Sequence, residues 1–272
     1  MSEPGRREMK KIQLGDLTMN VVDEGEGKPI LFVHGFPLDH RMWREQRKSF
    51  AADYRVIIPD LRGFGESDVT SGTITMAQFA DDLNNLLNAL KVVEPVVYCG
   101  LSMGGYIAWE FAKRYRERLA GLIVCDSKAA SDSDDTRQTR FNSAKELREN
   151  GADNVVFAMM PKMFGMTTRD RNPELVEEFR QIMLKANAEG MAAGQLGMAD
   201  RIDGRSLLTE LNIPALLLCG EEDIISPVLE MQEMAASMPQ AEFVGIPEAG
   251  HLAPLEQPVE VNNAIRKFIE KL

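Results

Sequence analysis

Val96-Val97-Tyr98-Cys99-Gly100-Leu101-Ser102-Met103-Gly104-Gly105-Tyr106-Ile107-Ala108-Trp109-Glu110-Phe111 passes from a short apolar run, through a serine flanked by glycines, into a helical pattern. It reads as strand, sharp turn and helix, with Ser102 at the apex, the arrangement of a nucleophile elbow. Side chains at positions 100 and 104 would collide across so tight a turn, and the apex residue is held in a strained conformation, so glycine is required on both sides. Gly105 extends the room for close packing at the helix start. A five-residue G-x-S-x-G match is common by chance; its place between a strand and a helix gives it weight against a tight turn carrying a structural serine.

Outward from this turn, short apolar runs alternate with longer amphipathic segments. Strands are expected at Leu17 to Val22, Ile30 to Val33, Val56 to Ile58, Val96 to Cys99, Leu119 to Cys125, Ala215 to Cys219 and Phe243 to Ile246. Phe79, Leu83, Leu86, Leu87 and Leu90 recur at helical spacing, as do Val261, Ile265, Phe268, Ile269 and Leu272. This is the pattern of a parallel sheet covered by helices on both faces, so the class is α/β, with the first strand in an antiparallel edge hairpin. The alternation stops after Asp126 and resumes at Pro214. The segment between carries polar helical stretches and methionines, which marks an insertion over 128–205 within a core formed by 1–127 and 206–272.

A serine hydroxyl is a weak nucleophile near neutral pH and needs a base that an acid orients. The chain has three histidines. His251 follows the last strand candidate in Pro247-Glu248-Ala249-Gly250-His251, which places it at the same sheet edge as Ser102. Asp223 follows the strand Ala215 to Cys219 and precedes the histidine, in the order serine, acid, histidine; Asp126, Glu221 and Glu222 are the alternatives for the acid. His34 abuts the Gly35 turn and is expected to shape that loop through hydrogen bonds. His40 belongs to the surface or a pocket rim. Two backbone N–H groups suit a developing oxyanion: Met103, at the start of the helix after the nucleophile, and Phe36, in the loop His34-Gly35-Phe36-Pro37.

The ordered set His34-Gly35-Phe36-Pro37, Asp60-Leu61-Arg62-Gly63-Phe64-Gly65-Glu66-Ser67, Gly100-Leu101-Ser102-Met103-Gly104-Gly105, Asp223 and Gly250-His251 resembles the α/β-hydrolase superfamily. Within it, the set is similar to the bacterial carboxylesterases grouped with 3-oxoadipate enol-lactonase, over nearly the whole chain from Leu17. The resemblance implies a mostly parallel eight-stranded sheet, a helical cap inserted after the sixth strand, and ester hydrolysis through an acyl-enzyme without cofactor or metal. Serine at 102, where dehalogenases carry aspartate, argues against carbon–halogen cleavage.

The remaining features set limits. Hydrophobic residues at 44% and charged residues at 27% argue against disorder. A net charge of −11 argues against nucleic acid or an anionic membrane as partner. Met1 to Lys11 holds no apolar stretch of a secretory signal, no run is long enough to span a bilayer, and the odd set Cys99, Cys125 and Cys219 suits a reducing cytoplasm. Those cysteines end strands and are expected to be small buried hydrophobes rather than metal ligands. Gly63 and Gly65 lack the third glycine and the lysine-serine pair of a phosphate loop and are expected to shape the Asp60 loop. Trp43 and Trp109 fit core or cap contacts.

Gly35, Met160 and Phe164 are the pocket candidates, among a wider set that includes Phe157, Met159, Met163, Met183, Met191 and Met198. These point to short and medium acyl esters, with water as co-substrate and a monomer or small homo-oligomer as the working form. An enol-lactone hydrolase would need a cation for its substrate's carboxylate, with Arg41, Arg140 or another arginine open. A perhydrolase, and a ligand sensor that keeps the fold for binding, are the other readings.

Overall fold

Residues 9–272 are described in a computed structural model, so the reading of Met1 to Lys11 as leaderless falls largely outside them. Eight strands form one sheet: β1 (Lys10–Leu14), β2 (Leu17–Glu24), β3 (Pro29–Val33), β4 (Arg55–Pro59), β5 (Val96–Leu101), β6 (Leu119–Cys125), β7 (Ala215–Gly220) and β8 (Ala241–Ile246). Their order across the sheet is β1-β2-β4-β3-β5-β6-β7-β8. β1 and β2 form an antiparallel hairpin through Gly15-Asp16, with Gly15 at φ +62°, and β2 also runs antiparallel to β4. All other neighbours are parallel.

The central strands β3, β5 and β7 are buried at every position, as strands covered on both faces must be. The covering helices are α1 (Arg44–Phe50), α2 (Met76–Ala89) and α3 (Met103–Arg114), then α10 (Val228–Ser237), α11 (Ala253–Glu256) and α12 (Pro258–Ile269). The helical stripes read from the sequence are the buried faces: Phe79, Leu83, Leu86 and Leu87 of α2, and Val261, Ile265, Phe268 and Ile269 of α12. Thr75 caps α2 by accepting the Gln78 N–H.

Six helices stand between β6 and β7: α4 (Asp134–Asn150), α5 (Asp153–Met163), α6 (Met166–Arg171), α7 (Pro173–Leu184), α8 (Ala188–Ala199) and α9 (Arg205–Leu208). β6 and β7 are nonetheless adjacent in the sheet, with Leu122 beside Ala215 and Cys125 beside Leu218. The chain therefore leaves the sheet after β6 and returns to the next position in it. β5, β6, β7 and β8 lie side by side and point the same way, so the loops after them share one edge. β3 completes that edge, with Val33 beside Gly100. No helix among the described residues is long and apolar enough to cross a membrane.

Candidate active site

Ser102 stands between β5 and α3 with φ +53° and ψ −110°, a conformation L residues avoid. The flanking glycines make it possible. A Cβ on Gly100 would lie 2.4 Å from the Gly104 carbonyl oxygen, and one on Gly104 would lie 2.4 Å from the Val33 oxygen. The turn is pinned from outside: Ser102 N–H donates to the Cys125 oxygen at 2.9 Å, and the Ser127 hydroxyl donates to the Ser102 oxygen at 2.8 Å.

His251, in the loop after β8, bridges the nucleophile candidate and an acid. Its Nε2 lies 2.9 Å from Ser102 Oγ and its Nδ1 lies 2.8 Å from Asp223 Oδ2. With Nδ1–H donating to the carboxylate, Nε2 is left to accept the serine proton. The other Asp223 oxygen accepts the N–H groups of Ile225 at 2.7 Å and Ser226 at 3.1 Å, which fixes the carboxylate in the loop after β7.

The competing acids have other places. Glu221 is exposed, and Glu222 receives the N–H and hydroxyl of Thr167 in α6. Asp126, at φ +47° after β6, is fully buried; its Oδ1 accepts the Gly220 N–H at 2.8 Å and its Oδ2 has no partner. Burial, then the neighbouring Asp223 charge, holds the Asp126 carboxyl well above the usual carboxylate range. Asp126, Cys219 and Asp223 place polar atoms within 4.8 Å of one another, so a second ionised acid there would repel Asp223.

Gly35 brings the β3 loop against the serine: a Cβ on it would lie 2.7 Å from the Leu101 side chain and 3.3 Å from Ser102 Cβ. Phe36, next in this loop, lines the same cavity as Ser102, while Met103 opens α3 with an N–H that has no acceptor within the helix. His34 shapes the loop as expected, donating from Nδ1 to the Gly35 oxygen and accepting the Leu61 N–H at Nε2. Burial lowers its pKa, which suits this neutral tautomer. His40 is more than a rim residue. Its ring donates to Asp60 Oδ1 at 2.7 Å, and Asp60 also takes the His40 N–H, the Asn20 amide and the Glu66 N–H.

Ser102 and His251 open into a cavity of about 570 Å³ walled by α4, α5 and α8. Three pocket expectations need correction: Gly35, Met160 and Phe164 do not line it. Gly35 is packed behind the serine, and Phe164 turns to Phe179, ring centroids 6.4 Å apart. On α5 it is Met159 and Met163, one turn apart, that face the cavity, joined by Met198. Phe157 is exposed, whereas Met183 and Met191 are buried elsewhere. Cys99, Cys125 and Cys219 are buried free thiols.

The cavity also shows which of the two arginines shares a wall with the serine. Arg140 lines it, and Arg41 lines a separate cavity beside His40. Arg140 donates to Asp132 at 2.5 Å and to Gln195 at 3.1 Å, while Arg201 pairs with the same Asp132 at 2.6 Å and stacks on Tyr106. Two guanidinium groups thus share one buried carboxylate. Lys162 and Glu146 add one charge of each sign to the lining. Arg201 carried no signal in the sequence, because its partners Asp132 and Tyr106 lie 69 and 95 positions away along the chain.

Residues 28–258 match the family model described as alpha/beta hydrolase fold. The chain belongs to the α/β-hydrolase family. A thermophilic esterase from Thermogutta terrifontis, solved with malate bound, is 46% identical, with a TM-score of 0.94 over 97% of this chain and 99% of that one. An AB hydrolase superfamily protein of Bacillus subtilis is 29% identical over 93% of this chain and 95% of its own length. The 3-oxoadipate enol-lactonase 1 of Acinetobacter baylyi is 28% identical over 89% of both. As a hydrolase, the chain matches these relatives over nearly their full length.

Asp126 makes the stability of this hydrolase pH-dependent. The folded chain keeps a proton that the unfolded chain releases above the ordinary value near 3.8, so this group's contribution to stability is lost as pH rises. Asp126→Asn preserves the acceptor for Gly220 and removes the titration. Its stability relative to wild type should improve steadily from about pH 4 upward in urea unfolding; a difference that is constant across pH would contradict this.

Proposed function

We propose that the protein is a serine carboxylic-ester hydrolase with Ser102 as nucleophile, His251 as base and Asp223 as the acid. The observation that carries this reading is the His251 ring, within hydrogen-bond distance of Ser102 on one side and Asp223 on the other, with Ser102 and His251 lining one cavity. Ser102 Oγ attacks the ester carbonyl while His251 Nε2 takes the hydroxyl proton. The charge on the carbonyl oxygen falls to the N–H groups of Phe36 and Met103, the latter at the positive end of α3. Collapse breaks the ester bond, and His251 returns the proton to the departing alkoxide. Water then adds to the acyl-enzyme, giving a proton to Nε2. The second collapse frees the carboxylic acid and restores the serine hydroxyl. The helices over 128–205 serve as a cap, and Met159, Met163 and Met198 supply an adaptable wall for short and medium acyl groups.

Arg140 favours a second reading of the same site. A guanidinium that lines the same cavity as the nucleophile and shares the Asp132 carboxylate with Arg201 suits an ester or lactone carrying its own carboxylate. The Acinetobacter baylyi relative named for 3-oxoadipate enol-lactone and the malate in the Thermogutta terrifontis structure are in keeping with such a substrate.

Ser102→Ala should lower p-nitrophenyl butyrate turnover at least about a thousandfold with unchanged circular dichroism; wild-type turnover would refute the assignment. Arg140→Met should lower the ratio of kcat/KM for a carboxylate-bearing ester over its neutral counterpart about tenfold, and an unchanged ratio would remove the second reading.

A further inference from the structure

Three links tie α6 and the Gly165 before it to the loops that hold Asp223 and His251 and to α11 just after them. Thr167 gives its N–H and hydroxyl to Glu222, Arg171 pairs with Glu248 at 2.9 Å, and the Gly165 N–H donates to Glu256 Oε2 at 2.8 Å. The third differs from the others. The second oxygen of the same carboxylate, Glu256 Oε1, accepts the N–H of Gly250 at 3.0 Å and of Leu252 at 3.1 Å, the residues on either side of His251. The two backbones touch there: a Cβ on Gly250 would lie 2.2 Å from Gly165 N, and one on Gly165 would lie 2.8 Å from Gly250 N.

We propose that Glu256 is a positioning residue that sets the His251 ring and the α6 end of the helical segment together, through one carboxylate that spans both. The inference rests on His251 acting as the base for Ser102. Backbone N–H groups on both sides of a residue fix the direction in which its side chain leaves the chain, and His251 must hold Nε2 and Nδ1 on two partners at once. A carboxylate is the one side chain of this length with two acceptor oxygens and no donor, so it can receive three N–H groups from two segments. Glutamine offers a single acceptor, and its amide N–H groups would face one set of backbone donors. Aspartate keeps the charge but lacks the methylene needed to reach both segments.

The test uses Glu256→Gln and Glu256→Asp, with Glu222→Gln as the comparison that alters the side-chain acceptor for Thr167 in α6 while the backbone N–H at position 222 stays on the Ala249 oxygen. Two quantities are read: kcat for p-nitrophenyl butyrate, and the low-field proton NMR resonance of the His251 Nδ1–H bonded to Asp223. Both Glu256 variants should lose about tenfold in kcat, as a small misplacement of a catalytic group does, and should shift or broaden the resonance; Glu222→Gln should leave the resonance in place. Glu256→Asp supplies the readout should Glu256→Gln not fold. Wild-type kcat and resonance in a folded Glu256 variant would overturn the proposal, as would an equal shift in Glu222→Gln. The resonance reports on His251 even if the protein turns over no ester, so a failure of the hydrolase reading is distinguishable from a failure of this one.

Discussion

The backbone contact across the turn at Ser102 is the constraint on which the rest depends. Gly100 and Gly104 face each other so closely that a Cβ on the first would meet the carbonyl of the second at 2.4 Å, and Tyr98 donates its hydroxyl to that same carbonyl at 2.8 Å. Strand β5 can therefore reverse into α3 within one residue, with Ser102 left in a conformation that costs about 1–3 kcal/mol by itself. The cost is offset by fixed surroundings: β6 receives the Ser102 N–H, Ser127 holds its carbonyl, and the β3 loop packs against it through Gly35. The same contacts that force the turn set the hydroxyl at the sheet edge, with the start of α3 beside it and Phe36 lining the same cavity.

Charge is used locally in a way that the net value of −11 does not report. The acids near the site serve as acceptors for backbone N–H groups: Asp223 for Ile225 and Ser226, Asp60 for His40 and Glu66, Glu256 for Gly165, Gly250 and Leu252. Asp60 and Glu256 use both carboxylate oxygens, as a neutral side chain with a single acceptor could not. Asp126 likewise accepts the Gly220 N–H, but burial holds its carboxyl well above the usual carboxylate range. Arg140 and Lys162, in turn, bring positive charge to the wall of the cavity in an acidic protein, and Arg201 shares the Asp132 carboxylate with Arg140 behind that wall.

The sequence revealed what local rules determine. Ser102, Asp223 and His251 each follow a strand of a parallel sheet, so strand order and loop position bring them to one edge. Strand β1 escaped notice because Lys10-Lys11-Ile12-Gln13-Leu14 is an exposed edge strand with little apolar alternation. The pocket was misread on α5 because Met159 and Met163 share one face, while Met160 and Phe164 are equally apolar at the same spacing. Apolar periodicity cannot tell which of two such pairs faces a cavity. Glu256 was illegible for another reason: its partner Gly165 lies 91 positions away, and a carboxylate on a helix reads as a solvated charge until such a partner is placed.

The most direct measurement of the central claim is intact-mass and peptide mass spectrometry after treatment with a p-nitrophenyl phosphonate. The account predicts one adduct per chain, located on Ser102, whose formation slows sharply in His251→Ala. No adduct, or an adduct on another residue formed equally fast without His251, would contradict it.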